Sequence, residues 1–310
     1  MNIFNSKLQL STMVGMMIMS TVYGMMFFSY LFANIGLSMI FTWVQLKYII
    51  SNDGVIPNGF TFVCVLKSCG VIGATNKVLE MHSEIVHQRM VETDIVVGNT
   101  LVDVYAKCDC VVNMKQAFNE IPVKDVVSWT TLISGYLEHG YGEEALSCFD
   151  LMQSEGVTPN ALTYVCGLKA CSSIGSLSMG ETIHAEVAKK GLLRKNIVLG
   201  TALVDMYVKC GFLTDAEHIF FEMNDVNVVT WTVMVAAYAE NGCYEQAIDC
   251  LELMEHNGVH PNSVTILSCL KVCCTEGSIA LGRKLHLQTI LEGFEIDLCI
   301  GDSLVGGGNT

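Results

Sequence analysis

Apolar and polar positions alternate along this chain with a helical period. From residue 126 to 160 the chain reads VVSWTTLISGYLEHGYGEEALSCFDLMQSEGVTPN, in which Trp129, Leu132, Ile133 and Tyr136 fall at i, i+3, i+4 and i+7. That spacing puts all four on one face of an α-helix. Beyond Gly140 the spacing resumes with Ala145, Leu146, Phe149 and Met152. Gly156 then offers the left-handed residue that ends a helix, and Pro159 blocks its continuation. The stretch predicts two short helices joined by a tight turn. Residues 228–262 repeat the pattern slot for slot, with Trp231, Met234, Val235 and Tyr238 followed by Ala247, Ile248, Leu251 and Met254.

The repetition has a fixed interval. GVIPN at 54–58, GVTPN at 156–160 and GVHPN at 258–262 stand 102 residues apart. Units of 36, 31 and 35 residues fill that interval in turn. The 36-residue unit occurs at 59–94 and 161–196, with a 35-residue relative at 263–297, and carries Leu66, Leu168 and Leu270, Gly73, Gly175 and Gly277, and His82, His184 and His286 in matching slots. The 31-residue unit occurs at 95–125 and 197–227, where LVDVYAKC is echoed by LVDMYVKC. Seven tandem units thus cover 59–297, in the order 36, 31, 35, 36, 31, 35 and 35 residues. Residues 41–58 read as the worn second half of another unit, and 298–310 as the start of one, as in a stretch of a longer protein. A lone helical hairpin cannot bury its apolar stripe, so tandem hairpins stack; the expected fold is all-α, an α-solenoid of helix-turn-helix hairpins.

Composition adjusts this picture in three places. The chain is 51% hydrophobic and 15% charged, which excludes a disordered chain, and its formal net charge of −14 is the wrong sign for a protein that neutralises phosphates. Several of the 14 cysteines obey the repeat: Cys69, Cys171 and Cys273 share one slot, Cys108 and Cys210 another. A cysteine that recurs by slot reads as a small buried apolar residue in a reducing compartment. Residues 1–40 stand apart: from Leu8 to Leu46 there is no charged residue at all, and methionine is abundant. The run exceeds the roughly 20 apolar residues that span a bilayer. Three readings stand for it: a membrane anchor, a targeting segment, or a mis-translated stretch.

Unit lengths of 35, 36 and 31 in fixed order, the VVSWTTLISGY opening, the GVTPN ending, LKACSSIGSLSMGETIHAEV and LVDMYVKCG resemble the pentatricopeptide repeat proteins, specifically the land-plant subclass that alternates three motif lengths. The resemblance covers about 59–305. It implies a right-handed superhelix, a mitochondrial or chloroplast location, and single-stranded organellar RNA as partner, with an editing or processing enzyme supplied in trans. It also implies that the fifth and last residues of the 35- and 31-residue units read a base. Those residues are Asn99 with Asp125, Thr130 with Asn160, Thr201 with Asn227, and Thr232 with Asn262. By the family pattern the first pair resembles a uracil reader and the other three adenine readers. The second residue of each unit, Val96, Val127, Val198 and Val229, would flank the base. The 36-residue units carry Val63, Val165 and Leu267 in the fifth slot, where no side chain can hydrogen-bond a base edge, and read as spacers.

That implication is chemically reasonable. A row of first helices offers one side-chain set per hairpin, and single-stranded RNA offers one unpaired base edge per step. A plainer account exists for half of the residues: Asn and Asp at unit boundaries are good helix caps whether or not they touch RNA. Thr130 and Thr232 lie inside a predicted first helix, where capping does not apply. The acidic balance also favours a second class of function, a protein-binding helical scaffold without RNA contact.

Catalytic signals are thin, and neither an enzyme, a cofactor nor a metal site is expected. A zinc deaminase needs H-x-E followed by P-C-x-x-C. His82–Ser83–Glu84 and His184–Ala185–Glu186 supply H-x-E twice, but in the same repeat slot, and C-x-x-C occurs nowhere. There is no G-x-x-x-x-G-K-[ST] phosphate loop and no G-x-S-x-G elbow. The recurrent histidines read as hairpin packing.

Overall fold

The computed structural model describes residues 57–193 and 196–276, with four further positions at 283, 285, 287 and 289. The apolar segment 1–40, most of 41–58, and 298–310 lie outside the described residues. The chain divides into two bodies between Tyr141 and Gly142.

The first body contains α1 (Gly59–Ile72), α2 (Thr75–His87), the single turn α3 (Met90–Thr93), α4 (Ile95–Lys107), α5 (Val111–Glu120) and α6 (Val126–Glu138). The second contains α7 (Gly142–Ser154), α8 (Ala161–Ile174), α9 (Leu177–Lys189), α10 (Ile197–Lys209), α11 (Leu213–Glu222), α12 (Val228–Glu240), α13 (Tyr244–His256) and α14 (Ser263–Glu276). In the first body α1 packs on α4 and α4 on α6, a row of first helices, while α2 and α5 each lean on the first helix of their own hairpin and on that of the next. The second body repeats the arrangement with the row α8, α10, α12, α14 and the second helices α9, α11 and α13. Among the described residues the fold is an all-α solenoid of stacked helical hairpins, and no helix is long and apolar enough to cross a membrane.

The different unit lengths come chiefly from the second helix. In the 31-residue units it has 10 residues, as in α5 and α11; in the 35- and 36-residue units it has 13, as in α7, α13, α2 and α9. First helices keep 13 or 14 residues throughout. A constant first helix keeps the row in step while the second helix absorbs the length.

The core repeats with the sequence. Trp129 stacks edge-on against Phe118 at 4.8 Å, and Trp231 against Phe220 at the same distance. Such pairs add to simple area burial. Cys69 and Cys171 are buried, and burial pushes their thiols up to about 11 and about 12. They stay protonated at neutral pH and pack as small apolar groups, as their slot predicted.

The recurrent histidine has a definite partner. His82 Nδ1 lies 2.9 Å from the Tyr105 hydroxyl, and His184 Nδ1 lies 2.9 Å from that of Tyr207. Each pair ties the second helix of a 36-residue unit to the first helix of the following 31-residue unit. In the first body Nε2 of His82 also meets Glu120, at 2.7 Å. The two H-x-E histidines are thus used in holding hairpins together.

Candidate nucleic-acid interface

The site is built where one unit ends and the next first helix begins. At such a junction the last residue of a unit is the N-cap of the following helix, because its extended backbone leaves the first turn's N–H groups unpaired and its short side chain can accept from them. Asp125 Oδ1 accepts from Ser128 N at 2.8 Å and from Ser128 Oγ at 3.0 Å. Asn160 Oδ1 accepts from Thr163 N at 2.9 Å and its Oγ1 at 3.0 Å. Asn227 Oδ1 takes Thr230 N at 3.0 Å and Oγ1 at 3.1 Å, and Asn262 Oδ1 takes Thr265 N at 2.9 Å and Oγ1 at 3.0 Å. Every last-position residue singled out from the sequence is therefore a working cap. The capping account holds for them, and what else they do depends on the atoms that capping leaves over.

The fifth-position threonines lie inside first helices and return a hydroxyl bond to the carbonyl one turn back: Thr130 to Val126 at 2.6 Å, Thr201 to Ile197 at 2.8 Å, Thr232 to Val228 at 2.7 Å. They are not open surface groups. Thr130 and Thr232 are 6% and 8% exposed, and Thr201 is half-buried. For Thr201 and Thr232 the cause is the packing of successive first helices, which brings the next unit's cap against them. Thr201 Oγ1 lies 2.6 Å from Thr230 Oγ1, and Thr232 Oγ1 lies 2.7 Å from Thr265 Oγ1.

The pair in the first body differs. Asn99 is half-buried and hydrogen-bonds through its side chain to Asp125, leaving its amide oxygen buried with no partner among the described residues. An unpaired buried acceptor costs roughly 1–3 kcal/mol. Burial pushes the Asp125 carboxyl up, but the Ser128 N–H and hydroxyl, the Asn99 side chain and the Val127 N–H outweigh it and hold the group below its ordinary value. Asp125 is ionised at neutral pH.

The second-position valines stand out from the helix starts. Val96, Val127, Val198 and Val229 are 51–61% exposed. Phe60, Leu162 and Val264, at the second position of the 36-residue units and their 35-residue relative, are exposed to the same degree, 54–61%. These three escaped the sequence reading, although their offset from the unit start matches that of the valines. In the same units Val165 is buried and Val63 and Leu267 are half-buried, so the fifth slot carries no polar group.

Comparison with known proteins bears on this geometry. A model described as the PPR repeat family matches residues 124–173 and 226–275, and a second, described as PPR repeat, matches 201–228. The chain is built of pentatricopeptide repeats of the plant type. A chloroplastic pentatricopeptide repeat-containing protein of Arabidopsis thaliana is 36% identical over 235 residues, covering 76% of this chain and 38% of that protein. A mitochondrial one from the same plant is 32% identical over 240 residues, covering 77% of this chain and 43% of its own length. The chain thus spans less than half the length of these pentatricopeptide repeat relatives. Among solved structures, the pentatricopeptide repeat protein PPR10 in complex with an 18-nt psaJ RNA element superposes with a TM-score of 0.63 at 20% identity, over 84% of this chain and 38% of that one. At that identity the likeness concerns the repeat fold.

Proposed function

We propose that this chain binds single-stranded RNA selectively, one base per 35- or 31-residue unit, in the RNA processing or C-to-U editing-site recognition of a mitochondrion or chloroplast. The observation that carries the reading is a recurring trio: an exposed apolar residue at the second position, a polar residue at the fifth, and a capping Asn or Asp at the last. The structural neighbour PPR10 is an RNA complex by its own description, and relatives are chloroplastic and mitochondrial, which supports the same reading. In chain order the units assign U to Asn99 with Asp125, A to Thr130 with Asn160, a skipped base, then A to Thr201 with Asn227 and A to Thr232 with Asn262. An editing or processing enzyme acting in trans would supply the chemistry.

Base contacts of this kind are worth roughly 1–3 kcal/mol each, so four reading units give modest affinity against a net charge of −14. The test is direct. A synthetic RNA in the register U, A, any base, A, A binds this chain more tightly at low salt than a scrambled RNA of equal composition. Replacing Thr232 by Asn together with Asn262 by Asp moves the preference at one base from A toward U. A uniform loss of affinity with no such shift would refute the reader assignment. Absence of any RNA retention at low salt would favour the alternative, a protein-binding scaffold, for which the acidic balance of the sequence speaks.

A further inference from the structure

We infer that the third residue of the next unit, a serine or threonine, is a positioning residue that fixes which end of the last-position side chain faces a base. This rests on the base-reading proposal above. The capping bonds already described consume one particular atom. At Asn227 and Asn262 both the N–H and the hydroxyl of the third residue, Thr230 or Thr265, converge on the amide oxygen. An asparagine amide can rotate by half a turn and exchange oxygen for nitrogen. Two donors on one side forbid that exchange, since the rotated amide would point its own N–H groups at them. The NH2 end is the end left over. It offers hydrogens, so it suits a base whose edge presents an acceptor.

The same contacts set the polarity of the fifth residue. Thr232 and Thr265 hold two hydroxyl hydrogens between them, and three acceptors are within reach: the Val228 carbonyl at 2.7 Å, the Asn262 amide oxygen at 3.0 Å and the other hydroxyl at 2.7 Å. However the hydrogens are shared, both are spent inside the protein, and Thr232 can only accept from a base. Thr201 and Thr230 repeat the arrangement with Ile197 and Asn227. One acceptor beside one donor complements the amino group and ring nitrogen of adenine, and of cytosine, and opposes the N–H of guanine and uracil.

Asp125 gives the opposite case. Ser128 takes one carboxylate oxygen through its N–H and hydroxyl. The carboxylate is symmetric, so what remains is an acceptor whichever way it turns. It accepts from the N–H of uracil or guanine, next to the unpartnered Asn99 oxygen.

The distribution of the hydroxyl separates reading junctions from spacer junctions independently of the fifth residue. It is present after Asn58, Asp125, Asn160, Asn227 and Asn262, as Thr61, Ser128, Thr163, Thr230 and Thr265. It is absent after Asp94 and Asn196, the last residues of the 36-residue units, where the third residue is Val97 or Leu199. There the caps accept backbone N–H groups alone, from Val96 and from Leu199. Without a hydroxyl the amide of Asn196 is held by one donor instead of two.

The experiment replaces the hydroxyl by a methyl of the same shape. The 310-residue chain carrying Thr265→Val, with Thr232 and Asn262 untouched, is measured by fluorescence anisotropy against four RNAs that differ only at the base assigned to that pair. The wild type prefers A over G and U by about tenfold; Thr265→Val lowers that ratio about threefold or more, and Thr265→Ser restores it. Discrimination at the Thr201–Asn227 base stays as in the wild type. Ser128→Ala leaves the U preference at the Asn99–Asp125 base intact, because a carboxylate has no end to flip. An unchanged A-to-G ratio in Thr265→Val overturns the inference, as does an equal loss for all four RNAs in a variant whose helical content and melting match the wild type. Should the wild type itself not discriminate at that base, the reading proposal falls and this inference with it.

Discussion

Residues 59–138 and 161–240 are matching stretches of the three-unit cycle in its two copies, and they agree and disagree in different places. The interior is kept. Phe118 with Trp129 matches Phe220 with Trp231, and His82 with Tyr105 matches His184 with Tyr207, at nearly equal distances. The turns are not kept. The second residue after α2 in the first copy is Arg89 at φ 54°, whereas the second copy has Gly191 at φ 62°. After α4 stands Asp109 at φ 59°, against Gly211 at φ 85°. The same backbone bend is made twice, once by residues that tolerate it poorly and once by the residue that suits it.

Compensations gather at the rougher copy. Asp109 reaches His139, Oδ1 to Nδ1 at 3.0 Å, while His139 Nε2 donates to the Ala106 carbonyl at 2.7 Å. In the second copy those two slots hold Gly211 and Asn241. The second copy has its own addition. Tyr164 donates to Glu186 at 2.8 Å and accepts from Lys190 at 2.6 Å, where the first copy has Phe62 and a local Gln88-to-Glu84 bond. Packing is thus the part of the cycle that sequence divergence has left alone; polar contacts are refitted around it.

The largest expected effect falls where the copies agree. Trp129→Ala and Trp231→Ala each remove a large buried aromatic and cost about 3–5 kcal/mol. Both are read from denaturant melts of the whole chain. If the two losses differ by more than about 1 kcal/mol, shared packing is not what unites the copies.

A smaller effect falls where they differ. A non-glycine residue in the left-handed region costs roughly 1–2 kcal/mol, offset by the roughly 0.5–1 kcal/mol that glycine loses in chain entropy. Arg89→Gly is therefore expected to stabilise by about 0.5 kcal/mol, and Gly211→Asp to destabilise by about 1 kcal/mol. Asp109→Gly gains less than Arg89→Gly, because aspartate tolerates this region better and the His139 contact is lost. The denaturation midpoints of the three variants check the order; a destabilised Arg89→Gly would mean that the Arg89 side chain contributes a contact of its own.

These differences mark how far the sequence could be read. Helical pairs, their order and their stacking followed from period and interval alone, since apolar spacing is what burial acts on. Last-position residues were legible as caps for the same local reason. The depth of Thr130 and Thr232 was not, because it depends on how closely the next first helix approaches. Nor was the part of Thr230 and Thr265, whose importance lies in bonds to a residue three back and another in the previous unit. Phe60, Leu162 and Val264 could have been found by counting the second slot in every unit and not only in the polar ones.

The smallest expected effect concerns acid. Burial lowers His184 below its ordinary value of 6.5, against the opposing pull of Glu222 and Asp215. The folded chain thus binds this proton less readily than the unfolded one. The sign follows: as pH falls through 6.5 the unfolded state takes up the proton first, and stability declines on the acid side. Asp125, held below its ordinary 3.8, contributes in the same direction only at much lower pH, and Asp150, raised by burial, acts in the opposite sense, so the difference between wild type and His184→Asn from pH 7 to 5 isolates the histidine. His184 is half-buried, and solvent screening limits its share of the decline to about 0.5 kcal/mol or less. His184→Asn also loses the Tyr207 bond at every pH, so the slope of stability against pH is the measure, not its level. A flatter slope in His184→Asn than in the wild type supports the assignment. An unchanged slope would place the acid-sensitive group elsewhere, and the shared His–Tyr contact would then be packing in both copies with no electrostatic consequence in either.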